Sequence, residues 1–465
     1  MKKLILNDDA IYRKEKDSYI AYNPLNLQLQ IFNKTSADIL EMCKFVISQD
    51  EVILGMKKLY SHEVDDDTLT QDVVEFINDM VKKGWIKEVD NGIKRKTSAK
   101  IFFENVNFTL DNSLHMPLVS FLEITKGCNL RCRHCHIEGG KRYKQECSTA
   151  EWMRVIDALW ENGVFVLVFS GGEPFYRKDA IELLQYADNK GFLISIASNG
   201  LLLNDDLIDQ LSNLKHLTSI AISLDGATPE THEFIRGKRT YVKTIDVIKK
   251  LNDRRFPIEI DTIIYKDNLS ELEDFVKLLD RMGIHTFGFG KLISRGRGKK
   301  ISDMRLSNEE FINFTKRLDE ISKNPQISVH VSNEFLDTVK YITTPEISNS
   351  RTQKKSKNKP YACGMAYSQI VIDPEGNVFP CLYFRGRKYW LGNIINQSLF
   401  DIWHHSKNLT ILRSYSANDY EQCRGCNLAN ECKGGCRLDA YDSSGSFFGY
   451  LPSCPKLVAK HLKPT

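Results

Sequence analysis

Between residues 118 and 290, short apolar runs alternate with stretches whose apolar positions recur at helical spacing. The runs at 119–124, 164–169, 192–197, 219–223, 258–264 and 286–289 are short and apolar-rich, that at 164–169 continuously so. That is the pattern of parallel strands buried on both faces. The segments between them read as amphipathic helices, one opened by the capping box Ser148-Thr149-Ala150-Glu151. Six such repeats predict an α/β fold, an open partial (β/α)6 barrel, with its chemistry at the C-terminal ends of the strands.

The first 90 or so residues follow another plan. Residues 19–22 and 27–32 read as short strands joined across Asn23-Pro24. A helix begins near Ser36, with Ile39, Leu40 and Cys43 on one face. Another follows Asp65-Asp66-Asp67, where Leu69, Val73, Phe76, Ile77 and Met80 form a buried stripe. With Trp85-Ile86 as a closing strand, this is a winged-helix-like α+β domain. The expected order is a module over 1–92, a linker over 93–117 that includes the basic stretch 94–98, the barrel over 118–294, a bridging region over 295–360 and a cysteine-rich tail over 361–465. Within the bridge, 351–359 reads as a solvated connector, and 371–378 in the tail reads as a hairpin.

Composition narrows the class. The 465 residues are 42% hydrophobic and 27% charged, which is globular rather than disordered. A formal charge of +4 is too small for nucleic-acid binding through bulk charge. No apolar run approaches the roughly 18–20 residues of a membrane span. After Met1-Lys2-Lys3-Leu4 come Asn7, Asp8 and Asp9, so no signal-peptide core is expected and the chain is placed in the cytoplasm. Twelve cysteines in a reducing compartment point to metal rather than disulfides. Ten of them cluster: Cys128, Cys132 and Cys135 mid-chain, and seven from Cys363 to Cys454.

The loop after the first barrel strand reads Gly127-Cys128-Asn129-Leu130-Arg131-Cys132-Arg133-His134-Cys135. Three thiols spaced C-x3-C-x2-C suit three corners of a 4Fe–4S cube, leaving one iron without a protein ligand. The alternative is zinc, with His134 or His136 as fourth ligand. The second strand ends in Ser170-Gly171-Gly172-Glu173-Pro174, a plain turn or a place where a ligand's charged group approaches the backbone beside an added anion. Ser198-Asn199-Gly200 and Ser223-Leu224-Asp225-Gly226 put small hydrogen-bonding groups on the same rim. Arg236 is either a carboxylate partner or a surface charge.

These motifs together resemble the radical SAM superfamily. The resemblance implies that the open iron chelates S-adenosylmethionine, and that a reducing electron cleaves the sulfonium to release a 5′-deoxyadenosyl radical. Gly171, Gly172, Glu173 and Pro174 match the element that meets the methionine ammonium, and Ser198, Ser223 and Arg236 match ribose and carboxylate contacts. The departure is His134, where the family often has an aromatic residue.

The tail reads Cys363-x12-Gly376-x4-Cys381, then Cys423-x2-Cys426-x5-Cys432-x3-Cys436, then Cys454. Seven thiols do not divide into two four-thiolate zinc sites. The spacing resembles the SPASM domain. That resemblance implies two auxiliary 4Fe–4S clusters, one on Cys423, Cys426, Cys432 and Cys454 and one on Cys363, Cys381 and Cys436. Where some SPASM proteins carry an eighth cysteine, this chain has Gln369. An iron left open there would bind a substrate thiol, unless water or another side chain fills it.

The N-terminal plan resembles a PqqD-like recognition element. Such elements bind the leader of a precursor peptide as an added strand, and here 19–22 or 27–32 with the helix over 69–80 would form the groove. A domain that only stabilises the barrel is the plainer alternative. The whole order, with His115-Met116-Pro117-Leu118, the run Glu123-Ile124-Thr125-Lys126-Gly127-Cys128 and Arg236-Gly237, is most similar to subtilosin-type sactipeptide maturases. The expected function is therefore thioether formation, Cys sulfur to carbon, in a ribosomally made, cysteine-containing precursor peptide. The expected electron donor is a flavodoxin or ferredoxin, with no nucleic acid and no membrane span. The rivals are a carbon–carbon link, formylglycine formation, and an iron–sulfur redox sensor that reads DNA.

Overall fold

The computed structural model describes residues 3–90, 96–104, 106, 110, 113–321, 323–331, 361, 363–426, 429, 433–451 and 454. The connector expected at 351–359 lies outside them. The described chain forms two units, one within residues 1–109 and one holding the large sheet and the tail.

In the first unit, β1 (Lys3–Leu6) lies between β5 (Ile47–Ser48) and β6 (Ile86–Val89), all antiparallel. A second sheet runs β4 (Gln28–Phe32), β3 (Tyr19–Asn23), β2 (Ile11–Lys14), β7 (Lys100–Phe102). Three helices pack with them: α1 (Lys34–Met42), α2 (Gln49–Tyr60) and α3 (Asp66–Lys82). The expected stripe is the buried face of α3, with Leu69, Val73, Ile77 and Met80 all in one core with Leu40, Val52, Met56 and Trp85. Asp65 caps α3 by accepting from Thr68 N at 2.9 Å. The strand at 19–22 is interior, paired with β2 and β4, so it has no edge to offer a peptide; β4 is the end strand of its sheet among the described residues.

The second unit is built on one sheet. Its parallel strands are β8 (Val119–Thr125), β9 (Val166–Gly171), β10 (Leu193–Ser198), β11 (Leu217–Ser223), β12 (Ile258–Ile264) and β13 (Thr286–Lys291), each beside its sequence neighbour. All six expected strands are present in the expected order. β8 is buried at every position, Ser120, Glu123 and Thr125 included, as a strand covered on both faces is. The helix α4 (Thr149–Glu161) starts at the expected capping box, Ser148 with Glu151. The bridging region contributes a further helix, α5 (Asn308–Ile321), and a further parallel strand, β14 (Ser328–Val331), on the far edge.

On the other edge, β15 (Gln369–Ile372) pairs parallel with β8, Gln369 opposite Val119 and Ile372 opposite Leu122. The expected hairpin follows, β15 returning through β16 (Asn377–Phe379). The tail is thereby part of the barrel sheet.

Candidate active site at the strand ends

The cysteine loop leaves β8 at Thr125 and is pinned by Glu146. The Glu146 carboxylate accepts from Thr125 Oγ1 at 2.9 Å, Lys126 N at 2.9 Å and Tyr143 N at 3.0 Å. Farther on, Arg297 donates to Cys132 O at 2.8 Å and Gly139 O at 2.9 Å, holding the loop from outside. Each thiol then meets a donor. Cys128 Sγ accepts from Leu130 N at 3.3 Å, Cys135 Sγ from Gly139 N at 3.2 Å, and Arg236 Nη1 lies 3.9 Å from Cys132 Sγ. Burial pushes the Cys128 thiol up to about 12, and these donors favour the thiolate that a metal requires.

No three His, Cys, Asp or Glu side chains among the described residues gather as a single metal ion would need. Three separated thiols on one loop, each with its own donor, fit the corners of an iron–sulfur cube. Burial lowers His134 to about 4 and His136 to about 3, so both rings are neutral at pH 7. His134 Nδ1 and His136 Nε2 have no hydrogen-bond partner among the described residues.

The end of β9 nests against this loop. A Cβ on Gly171, whose φ is +121°, would lie 2.4 Å from Thr125 O, and one on Gly172 would lie 2.2 Å from Gly127 O. The two glycines thus make room for the loop's own carbonyls, not only for a ligand. Glu173 is fully buried and opens a single 3-10 turn, Pro174–Tyr176. Its carboxylate accepts from Ser198 Oγ at 2.8 Å and Asn199 N at 2.8 Å, binding the end of β10 to that of β9. Burial raises Glu173 to about 7, against the pull of those donors. Asn199 Nδ2 reaches Asn129 Oδ1 at 2.8 Å, which ties the same corner to the cysteine loop.

Arg236 ends the helix α6 (Pro229–Arg236) and is no loose surface charge. Its Nε donates to the fully buried Asp225 at 2.6 Å, while Asp225 Oδ1 accepts from Ile263 N at 2.8 Å. Burial works to raise Asp225, but Arg236, His134 and His232 outweigh it and hold the carboxyl below the usual range. Ser223 ends β11 in register with Asp261 of β12, half-buried on the rim. Cys128, Cys132, Cys135, Glu173, Ser198 and Arg236 are thus joined in one hydrogen-bonded rim. Asn199, Asp225 and Arg297 complete it. Sequence reading placed the first two on the rim within strand-end motifs of small hydrogen-bonding groups and missed Arg297, which lies 165 residues from the carbonyl it holds.

In the tail, Cys381 Sγ accepts from Tyr383 N at 3.5 Å. Burial is the main cause of the raised Cys381 and Cys436 thiols; the charge of Cys436 adds to the rise of Cys381, and that of Cys363 to the rise of Cys436. Cys423 and Cys426 share a turn, Cys426 N donating to Cys423 O at 3.0 Å. Leu451 N, three residues before Cys454, donates to Gln422 Oε1 at 3.0 Å and brings that segment to the pair. Cys432 lies outside the described residues. Gln369 opens β15 and is buried, close enough that a Cβ on Gly364 would lie 2.7 Å from its Oε1. Arg385 Nη2 donates to the buried Glu123 of β8 at 2.5 Å, a second tie between tail and barrel.

In the N-terminal unit, Phe32 of β4 packs edge-on to Phe76 of α3 at 6.3 Å and to Trp85 at 6.0 Å between ring centroids. Trp85 Nε1 donates to Gln30 at 2.9 Å, so the end strand and α3 are fixed side by side.

Three family models match the chain: the radical SAM superfamily over residues 122–279, an iron–sulfur cluster-binding (SPASM) domain over 363–427, and coenzyme PQQ synthesis protein D over 21–86. The antilisterial bacteriocin subtilosin biosynthesis protein AlbA of Bacillus subtilis is 27% identical over 369 residues, 78% of this chain and 77% of AlbA. The mycofactocin maturase MftC of Mycolicibacterium smegmatis is 26% identical over 363 residues, 76% of this chain and 88% of MftC. The fold is that of Streptococcus suis SuiB bound to its precursor peptide SuiA, with a TM-score of 0.67 at 17% identity over 97% of this chain and 98% of that one. The chain carries a radical SAM domain, a SPASM domain and an N-terminal PqqD-like domain, is similar to AlbA and MftC, and has S-adenosylmethionine and 4Fe–4S clusters as its cofactors.

Proposed function

We propose that this enzyme forms thioether cross-links, Cys sulfur to carbon, in a ribosomally synthesised precursor peptide. The observation that carries the reading is the rim that joins Cys128, Cys132 and Cys135 to Glu173, Ser198 and Arg236, on a sheet to which the tail adds its strand Gln369–Ile372. The similarity to AlbA supports sulfur as the partner atom, as does Gln369 standing where an eighth thiol would close the auxiliary set.

Cys128, Cys132 and Cys135 would hold the cluster that binds S-adenosylmethionine, with Gly171, Gly172, Glu173, Pro174, Ser198, Ser223 and Arg236 around the cosubstrate. When bound, that pair supplies one-electron cleavage of the sulfonium and hence a hydrogen-abstracting species. The chain's own part is to keep the thiolates stable through Leu130 N and Gly139 N, and to hold the β9 and β10 ends together through Glu173. Cys423, Cys426, Cys432 and Cys454 would carry one auxiliary cluster, and Cys363, Cys381 and Cys436 the other, the latter receiving the substrate thiol. The leader would add a strand to β4 beside α3, and a flavodoxin or ferredoxin of the cytoplasm would supply electrons.

The test is mass spectrometry of a neighbouring cysteine-rich peptide made together with the enzyme under anaerobic conditions. A hydrogen pair lost per link, abolished by changing the peptide's cysteines to alanine, supports thioethers. The rival reading is a carbon–carbon link, which spares sulfur; hydrogen loss that survives the alanine changes selects it. Reduced enzyme that leaves S-adenosylmethionine intact overturns both.

A further inference from the structure

Arg437 opens the helix α7 (Arg437–Ser444), directly after Cys436, and its side chain is only 2% exposed. The guanidinium lies 4.1 Å over the ring of Tyr420, and Nη1 donates to Phe447 O at 3.3 Å. Nε and Nη2, the rest of the fork, have no hydrogen-bond partner among the described residues. A buried guanidinium with idle donors is costly, because each lost water contact goes uncompensated. Native interiors seldom keep one without an acceptor that completes it.

Arg437 is not alone in this. Tyr420 Oη and Gln422 Nε2 are also buried and unpartnered among the described residues, and Gln422 directly precedes Cys423. Three buried side chains with idle donors therefore flank tail cysteines in the chain, Tyr420 and Gln422 just before Cys423 and Arg437 just after Cys436. The position of the cation is consistent with this. Arg437 acts on Tyr361, which also feels Cys363, and on Tyr420, which also feels Cys423. No carboxylate among the described residues forms an ion pair with Arg437, so the expected acceptor is something softer that the protein binds.

We propose that Arg437 is a positioning residue whose idle N–H groups, together with Gln422 Nε2, donate to the sulfurs of an auxiliary iron–sulfur cluster and keep its reduction potential high. Hydrogen bonds to sulfur and nearby positive charge both stabilise the reduced, more negative cluster. The residue thereby sets how readily that cluster takes up an electron. This rests on the reading that the tail thiols hold clusters.

The test is an EPR-monitored redox titration of the full chain, reconstituted anaerobically, with iron and sulfide measured on the same samples. Arg437→Gln, which keeps a donor for Phe447 O, should hold the parental iron content while one auxiliary midpoint falls. Electron uptake about tenfold weaker corresponds to a fall of about 59 mV for one electron. Full iron with unmoved midpoints overturns the proposal. If Arg437→Gln binds less iron, Gln422→Leu reads the same question: a smaller fall supports it and an unmoved midpoint overturns it. A parental protein with no auxiliary signal overturns the cluster reading itself, and this inference with it.

Discussion

The imidazole of His136 meets the phenol ring of Tyr383 edge to face, with centroids 4.9 Å apart. His136 follows Cys135, and Tyr383 donates its backbone N–H to Cys381 Sγ, so this pair links the Cys135 loop to the Cys381 loop. An edge-to-face contact adds roughly 0.5–1.5 kcal/mol beyond the area it buries. His136→Ala should therefore destabilise the metal-free chain by about 2 kcal/mol, below the cost of truncating a fully buried ring because His136 is half-buried. His136→Leu, which fills the space, should cost less than about 1.5 kcal/mol. Urea unfolding separates the two; equal losses would show that the ring's volume is not what joins the loops.

Gly172 and Gly386 offer a paired test. A Cβ on Gly172 would collide with the carbonyls of Gly127 and Lys126 at 2.2 and 2.6 Å, whereas one on Gly386, at φ +91°, meets nothing within 4 Å. Gly172→Ala must push the cysteine loop aside, costing at least about 1–3 kcal/mol. Its iron content should fall by the share of one cluster. Gly386→Ala should strain only its own backbone and keep its iron.

Asp225 and Arg236 are joined at 2.6 Å with the carboxylate fully buried. Asp225→Asn leaves the guanidinium without its counter-charge, a loss of about 3–5 kcal/mol for a buried pair. Since Arg236 also reaches Cys132, S-adenosylmethionine affinity, followed by calorimetry, should fall with stability.

Glu173 predicts a pH dependence. Burial raises its carboxyl from 4.5 to about 7, so the protonated form favours the folded state. The contribution is complete below pH 4.5 and is lost as pH rises through about 7. Glu173→Gln removes this dependence. Between pH 5 and pH 8 the parental chain should lose of order 3 kcal/mol relative to the variant. Parallel stability curves for the two proteins would refute the assignment.

In the N-terminal unit, Phe76→Ala strips one wall from the side of β4. Leader binding, read by fluorescence anisotropy, should weaken about tenfold, roughly 1.4 kcal/mol. Unchanged affinity would move the leader away from this strand.

The parts legible in sequence were those set by local pattern. The six barrel strands, the capping box at Ser148 and the stripe on α3 all follow from periodicity within a few turns of chain. The helix α2 went unseen although Ser48 and Glu51 form a capping box of the same kind, because its apolar positions, buried only at Val52 and Met56, make a thin stripe. β1, β2 and β7 are three or four residues long, too short to show a period. The cysteine positions were readable, but their setting was not. Arg297 on Cys132 and Arg385 on Glu123 are contacts between distant segments that no local pattern encodes.

The pairing of β15 with β8 has a bearing on how this enzyme can be cut or rebuilt. Were the chain truncated before Gln369, the central strand that launches the cysteine loop would become a naked border, with its backbone donors and acceptors open to any extended segment nearby. A lone barrel would then be prone to aggregate, and a lone tail would lack the template for its hairpin. The two iron-bearing regions are one folding unit, and any shorter enzyme will need a replacement strand at that border.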